Sequence, residues 1–354
     1  MVLRAFVDSE IKAMSIQRIV EALKNYAPNE VQFVPREEAD IIVHTVVGVQ
    51  NFGKVAIPDM IAADTAAGKA YAIIQCCVAS TERPSAAFWA PIWAGAKCVW
   101  SYLDLLAFVN GARTVDGECS HAAHDLWVTS ANDTVPSPLS CQRHPQVRHT
   151  HTPSPTIEAC RWSTALPGFP LYYAPLGVDD QVFNFNAARG VRDITMLTTG
   201  YVAESEGIRE VSEAVRRVNG WHLHVGPDLK FGAHVTSISG ISDARLASLY
   251  GRAKFVAGLR RCEGFELPAA EGLLCGARPI LFDTLHYKQW FSKWGVFVPE
   301  DDPDSVATAI EKVFRQNLPQ VTQRTAIEAG ELFDWTALVG GFWGKCLASM
   351  GGAQ

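Results

Sequence analysis

The sequence has no long hydrophobic run and no signal-peptide pattern. No stretch of about 18 consecutive apolar residues, the length that crosses a bilayer as a helix, occurs in its 354 residues. The first residues do not combine a basic segment, an apolar core and a cleavage site. We therefore expect a cytoplasmic protein without an integral membrane segment.

Basic charge is also scarce. The net charge is −6, which removes the simplest reason to expect nonspecific binding to nucleic acid or to anionic membranes. The basic residues that could contact nucleic acid, Arg143, Arg148 and Arg161, form no dense cluster in the sequence. A nucleic-acid partner is therefore the less favoured expectation.

The cysteines lack a regular spacing. Their number, nine, is odd, so a disulfide framework is not expected and most of them should be reduced. Cysteines and histidines, which are ligand types for zinc, are frequent between residues 119 and 160, but no pair has the compact CxxC spacing. We predict a solvated, His-rich surface loop over residues 132–164, with metal binding as the minor alternative.

The chain is rich in apolar residues, which occur in short segments. With 48% hydrophobic residues, the chain can build two domains of roughly 150 residues or more. Short β-branched segments alternate with amphipathic ones, which is typical of a parallel sheet covered on both faces. In the first half, the predicted strands are residues 2–7, 31–34, 40–49, 70–77, 97–102 and 126–130, and the predicted helices are residues 15–26 and 57–68.

The same alternation resumes after the long loop, with strands predicted from residue 171 onward. It predicts an α/β protein with two Rossmann-like doubly wound domains facing a cleft. We predict an N-terminal domain over residues 1–170, a C-terminal domain over residues 171–331, and a last helix within residues 332–354 that packs back across the N-terminal domain.

The most informative stretch is EGFELPAAEGLLCGARPI, residues 263–280. Gly264 lets a backbone approach a ligand closely, Pro268 suits the start of a helix, and Gly276 suits its end. The loop therefore ends at a helix N-terminus, whose free N–H groups suit phosphate or sugar oxygens.

Two glutamates, Glu263 and Glu271, are separated by seven residues in this stretch. Because a carboxylate accepts hydrogen bonds from neighbouring hydroxyls, the pair could hold one polyhydroxylated ligand at two places. The alternative is that Glu271 complements the helix dipole and Glu263 caps a loop. The spacing alone leaves both open.

This stretch resembles the donor-site signature of retaining glycosyltransferases of the two-Rossmann GT-B type, the glycosyl transferases of group 1. Members of that family carry the two glutamates in an EGFGLP…EA…CG context, and the match here is EGFELP…EG…CG. Residues 175–179 with Phe183 are similar to the family's PNGVD…F segment, and residues 237–258 are similar to its glycine-then-helix unit. The resemblance covers residues 171–315.

The resemblance implies a hexosyltransferase-type enzyme that uses a nucleotide-sugar donor, retains the anomeric configuration and needs no metal or other cofactor. No Asp-x-Asp motif stands at a suitable strand end, in keeping with metal independence. The acceptor would be a glycan, a lipid-linked molecule or a small molecule. Glu263 would be the catalytic residue on the donor sugar, and Glu271 would hold the ribose. The other implied donor-binding residues are Gly264, the backbone amides of Phe265, Glu266 and Leu267, and Ile238 to Gly240 beside the base.

The chain departs from the family in the segment GYVAESEG, residues 200–207. Family members often have an Arg and a Lys there that contact the diphosphate, and this chain has Tyr201 and Glu206. Arg260 and Arg261 could compensate, because a guanidinium grips a diphosphate well. The alternative is that one of them pairs with Glu206 or Glu266 as a structural ion pair.

On the acceptor side, family members commonly place a His after a strand, facing the donor sugar. This chain has Gln75 at the corresponding strand end, and Gln75 could bind hydroxyls but could not titrate. His44 is predicted to end another strand and is a second candidate, although a lone His is more often a core residue.

Two other functions remain open from the sequence. A degenerate family member could bind a nucleotide or glycan without catalysis, in keeping with Tyr201 and Glu206. A DNA-modifying glycosyltransferase, acting on a hydroxymethylated base of the phage type, would need a basic cleft and base extrusion.

Overall fold

The computed structural model describes residues 2–8, 14–46, 56–76, 86–102, 105, 170–187, 190–201, 203, 206–260 and 265–351. The chain divides into two compact units, one of residues 1–136, 140–176 and 335–354, and one of residues 137–139 and 177–334. Each unit contains a six-stranded sheet whose paired strands are parallel. The predicted α/β class, with two Rossmann-like sheets and flanking helices, is confirmed.

The first sheet has the strand order β2-β1-β3-β4-β5-β6. β3 is buried at every residue and β4 at every residue after its first, as expected for the centre of a sheet covered on both faces. The elements of this unit are β1 Leu3–Val7, α1 Met14–Asn25, β2 Val31–Phe33, β3 Ile41–Val46, α2 Ile57–Ala66, β4 Ala70–Gln75, α3 Ala86–Gly95, β5 Val99–Ser101 and β6 Leu171–Tyr173.

The second sheet has the order β12-β11-β10-β7-β8-β9. Its elements are β7 Ile194–Thr199, α4 Ile208–Arg217, β8 His222–Val225, β9 Val235–Ile238, α5 Asp243–Arg252, β10 Ala253–Gly258, α6 Leu267–Leu274, β11 Arg278–Phe282, α7 Leu285–Phe291, β12 Val296–Val298, α8 Pro303–Arg315 and α9 Gln323–Leu332. Sequence patterning did not predict β9, in which three residues are half-buried and Thr236 is exposed.

The strand Leu171–Tyr173 belongs to the first sheet, which corrects the prediction that it opens the second domain. It pairs in parallel with β5, and Trp100 Nε1 donates a hydrogen bond to the Ala174 carbonyl at 3.1 Å. A three-residue strand carries no periodicity that could tell which sheet it joins. The units therefore divide after Leu176 and after Asp334, instead of after residues 170 and 331.

The last helix, α10 Trp335–Gly351, is part of the first unit. Trp343 is fully buried, and its Nε1 donates a hydrogen bond to the Leu23 carbonyl of α1 at 3.0 Å. Its ring also lies edge-on to Phe33 and Phe342, with ring centroids 5.9 Å and 5.1 Å apart. The apolar tail of the sequence thus contributes large side chains to the N-terminal core.

The described cysteines, Cys76, Cys98, Cys275 and Cys346, are buried and form no disulfide. The other five, the predicted strand at residues 126–130 and the predicted loop at residues 132–164 lie outside the described residues. Within the described ranges, no helix is both long and apolar enough to cross a bilayer.

Candidate functional site

The second sheet reverses its strand order between β7 and β10. From β7 the chain proceeds to β8 and β9 on one side, and then returns to place β10, β11 and β12 on the other. Open α/β sheets bind ligands beyond the carboxyl ends of their strands at such a reversal. The segments that follow β7 and β10 carry Glu206, Arg260 and Glu266, so these residues lie at the edge where a ligand is expected.

Gly207 joins these two segments closely. Its φ is +63°, and a Cβ there would lie 2.6 Å from Leu259 Cβ and 3.0 Å from the Leu259 carbonyl oxygen. Both the left-handed conformation and the lack of space therefore require glycine. The close approach holds Glu206 beside the segment that follows β10.

Glu206 accepts hydrogen bonds with both carboxylate oxygens. Its Oε2 accepts from the Tyr201 backbone N–H at 2.6 Å, and its Oε1 accepts from Arg260 Nε at 3.1 Å. The carboxylate is mostly buried, with 13% of the side chain exposed. Of the two alternatives for Arg260, the structure shows the ion pair, and Arg261 lies outside the described residues.

Glu266 is the second carboxylate at this edge, and it is almost completely buried. Its Oε1 accepts hydrogen bonds from the Tyr287 hydroxyl and the Arg260 backbone N–H, both at 3.2 Å. An Arg260 guanidinium nitrogen lies 3.9 Å from its other oxygen. Burial raises the pKa of Glu266 to about 6, and nearby Arg260 and the Tyr287 hydrogen bond limit the rise.

The raised pKa of Glu266 predicts that the stability of the fold depends on pH. The Glu266 carboxyl binds its proton more tightly in the folded protein than in the unfolded chain. Protonation therefore stabilises the fold fully below the ordinary pKa of 4.5, and this stabilisation is lost as the pH rises through about 6. Relative to Glu266→Gln, the wild type should lose about 2 kcal/mol of unfolding free energy between pH 4.5 and 7. Denaturant unfolding of both proteins across this range measures the difference, and a constant difference would contradict the assignment.

His224 lies on strand β8, which pairs with β7, and it is close enough to Glu206 for that carboxylate to act on its pKa. It is fully buried, and its Nδ1 lies 3.0 Å from Thr198 Oγ1, while its Nε2 has no hydrogen-bond partner among the described residues. Burial lowers the pKa of His224, and the Glu206 carboxylate opposes that shift. Sequence reasoning missed His224, although its place near the end of a strand was a usable signal.

Glu271 lies within helix α6, which begins at Leu267 as the proline predicts and ends before Gly276, where φ is +89°. It is 3% exposed, and its Oε2 accepts a hydrogen bond from the buried Tyr250 hydroxyl at 3.3 Å. The carboxylate thus has an internal partner, and its role at a ribose stays a prediction.

The remaining donor-side residues are placed as follows. Phe265 and Leu267 are buried, and the Phe265 ring stacks on Phe291 with centroids 5.4 Å apart, so only their backbones could serve a ligand. Ile238 ends β9 at the same edge of the sheet, and Gly240 follows it. Glu263 and Gly264 lie outside the described residues.

The two acceptor-side candidates have structural partners in the first unit. His44 is the fourth residue of the six-residue strand β3, and not its end as predicted, because the strand pairs with β4 through Val46. It is fully buried, and its Nε2 lies 3.0 Å from Asp64 Oδ2. Gln75 does end β4, but it is buried and accepts a hydrogen bond from Trp93 Nε1 at 3.0 Å.

Metal ligands do not gather in the part of the chain that the structure describes. No group of three or more His, Cys, Asp or Glu side chains there has a metal-binding arrangement. The His-rich segment that carries the minor zinc alternative lies outside that part.

No family model and no curated protein matches the sequence. Solved structures do resemble it. AviGT4, a glycosyltransferase involved in avilamycin A biosynthesis, is 12% identical with a TM-score of 0.56, over 100% of this chain and 99% of that chain. Sucrose-phosphate synthase from Thermosynechococcus elongatus is 14% identical with a TM-score of 0.61, over 100% of both chains.

A third similar structure is Anabaena HepE, which is 11% identical with a TM-score of 0.61, over 99% of this chain and 100% of that chain. At these identities the likeness concerns the fold. This likeness and the two parallel sheets show that the chain has the GT-B fold of these glycosyltransferases.

Proposed function

We propose that the protein is a glycosyltransferase that moves a hexose from a nucleotide-sugar donor to an acceptor hydroxyl. The observation that carries this proposal is the whole-chain likeness to GT-B glycosyltransferases, together with a charged edge at the strand-order reversal of the second sheet. HepE has been solved with UDP and with UDP-glucose, so UDP-sugars are the first donors to test.

The residue roles follow the sequence motif. Glu263 contacts the donor sugar, Glu271 holds the ribose, and the first N–H groups of α6 face the sugar or the diphosphate. The Glu266 side chain makes no capping hydrogen bond to this helix, and Pro268 supplies no N–H. Helix N–H groups and their dipole favour negative charge at this position.

The proposed chemistry is metal-independent and retains the anomeric configuration. The acceptor hydroxyl approaches the face that the diphosphate leaves, the new glycosidic bond forms as the sugar–phosphate bond breaks, and the leaving phosphate takes the hydroxyl proton. Arg261 and the α6 N–H groups stabilise the diphosphate charge, which is usually a large catalytic contribution. The acceptor is a glycan, a lipid-linked molecule or a small molecule, and the location is cytoplasmic.

One observation favours a second candidate, a protein that binds nucleotide without transferring sugar. Arg260, a cation at the diphosphate edge, is held by Glu206 at 3.1 Å and lies 3.9 Å from Glu266. A guanidinium shared by two carboxylates has less capacity to stabilise a leaving diphosphate.

Donor hydrolysis separates the two candidates. A set of nucleotide-sugars is incubated with the wild type and with Glu263→Ala, and release of the nucleoside diphosphate is followed over hours. Hydrolysis by the wild type that is strongly reduced in the variant is the expected result. Nucleotide binding without hydrolysis by either protein would favour the second candidate, and neither binding nor hydrolysis would contradict both.

A further inference from the structure

Glu206 occupies a site with the properties of an anion-binding site. It follows the turn that begins at Gly200, and its Oε2 is so close to Gly200 that a side chain there would collide with it. The carboxylate receives the Tyr201 N–H on one oxygen and the Arg260 guanidinium on the other. A backbone N–H in a glycine turn and a guanidinium are the donors that phosphate oxygens also select.

The position of this site in the fold is that of a phosphate site. Glu206 comes after β7 and directly before Gly207, the N-cap residue of α4, and Arg260 comes after the adjacent strand β10. The strand order reverses between β7 and β10, where α/β sheets bind ligands. The helix α4 N-terminus adds a favourable field for a negative charge.

The charge balance opposes a second anion at the same place. Arg260 is a cation of this edge in the described residues, and it already faces Glu206 at 3.1 Å and Glu266 at 3.9 Å. Burial lowers the pKa of the His224 imidazole and so favours its neutral form. A phosphate that came to the Tyr201 N–H would therefore meet a carboxylate already hydrogen-bonded there.

We propose that the Glu206 carboxylate is a built-in anion that occupies the place of a donor phosphate at this turn and weakens the binding of nucleoside diphosphates. This inference rests on the proposed function, because it takes a nucleoside diphosphate as the ligand of the edge. It makes Glu206 a specificity-determining residue, and it implies that a ligand with fewer phosphate charges is disfavoured less.

The sharpest test compares UDP and uridine binding to the wild type, Glu206→Gln and Glu213→Gln by calorimetry. Glu206→Gln keeps the shape and an acceptor oxygen for the Tyr201 N–H but removes the charge. Glu213→Gln is the matched control, because it removes the same charge from helix α4, which Glu206 directly precedes, at a position that pairs with Arg216 and Arg217 instead.

We expect Glu206→Gln to bind UDP at least about tenfold more tightly than the wild type, because a competing charge in a mostly buried site is removed. Uridine, which has no phosphate, should bind all three proteins equally, and Glu213→Gln should match the wild type. Glu206→Ala serves as a second variant if Glu206→Gln does not fold, with thermal unfolding as the check.

The possible outcomes separate this inference from the proposed function. If the wild type binds UDP and a folded Glu206→Gln binds it equally tightly or more weakly, the inference is overturned and the proposed function stands. Absence of binding of UDP, ADP and GDP to the wild type and to both Glu206 variants would overturn both.

Discussion

Replacing Glu271 by glutamine should reduce kcat/KM for the nucleotide-sugar donor by roughly a hundredfold. Under the proposed role, the Glu271 carboxylate accepts hydrogen bonds from the ribose hydroxyls. Two hydrogen bonds of this kind contribute about 1.5 kcal/mol or more each, and about 1.4 kcal/mol corresponds to a factor of ten in rate. The amide keeps the volume of the buried side chain and an acceptor for the Tyr250 hydroxyl. Initial rates of donor hydrolysis over a range of donor concentrations provide the measurement.

Tyr250→Phe is the control for a purely structural role of Glu271. It removes the hydroxyl that lies 3.3 Å from Glu271 Oε2 and keeps the ring that packs beside Phe183, with centroids 6.2 Å apart. We expect it to change kcat/KM by less than about threefold, since the hydrogen bond it removes is internal. If Glu271→Gln lowers the melting temperature but leaves kcat/KM unchanged, the carboxylate only stabilises the fold.

Trp343→Ala should lower the free energy of unfolding of the first unit by about 3–5 kcal/mol, the usual cost of truncating a buried Trp. Trp343 is fully buried, and its Nε1 satisfies the carbonyl of Leu23 in the last turn of α1. Carbonyls at a helix end have no partner within their own helix, so this hydrogen bond also supports the end of α1. Urea unfolding followed by circular dichroism measures the loss.

One further variant separates the contributions at this position, and a second, at an exposed residue of the second unit, serves as a control. Trp343→Phe keeps most of the apolar contact and loses the hydrogen bond, so it should cost about 1–3 kcal/mol. Ile327→Ala, at a side chain that is 58% exposed, should stay within about 0.5 kcal/mol of the wild type. Equal urea midpoints for Trp343→Ala and Ile327→Ala would refute the assigned role of Trp343.

Local sequence signals predicted elements of both units. Pro268 and Gly276 bound a helix because each acts through its own backbone, one by a fixed φ and the other by a left-handed φ. The strand Ala70–Gln75 was predicted through its apolar segment, since burial on both faces selects such residues. Signals of this kind need no information about distant residues.

The partners of the charged side chains were not predictable in the same way. The sequence placed Glu206, Arg260 and Glu266 near a ligand, but it left open whether Arg260 binds a diphosphate or a carboxylate. The structure shows that Glu206 is 3.1 Å from Arg260, across 54 positions of sequence. Because such a contact depends on which strands become neighbours, neither residue type nor local spacing could decide it.

His44 shows the same limit in the first unit. Its sequence neighbours allowed a strand end facing a ligand, but the strand continues through Val46 and buries the imidazole against Asp64, 20 residues away. Tyr287, which donates a hydrogen bond to Glu266, carried no sequence signal for that contact.

The sequence by itself determined the α/β class, the doubly wound halves and the helix between Pro268 and Gly276 that carries Glu271. These depend on short-range periodicity and on backbone preferences, which each segment carries alone. Only the tertiary structure decided that β6 joins the first sheet. It also decided that Glu206 accepts hydrogen bonds from Arg260 and the Tyr201 N–H, and that Glu271 accepts one from the Tyr250 hydroxyl. Those results depend on strand order and burial, which bring together residues that are far apart in the chain.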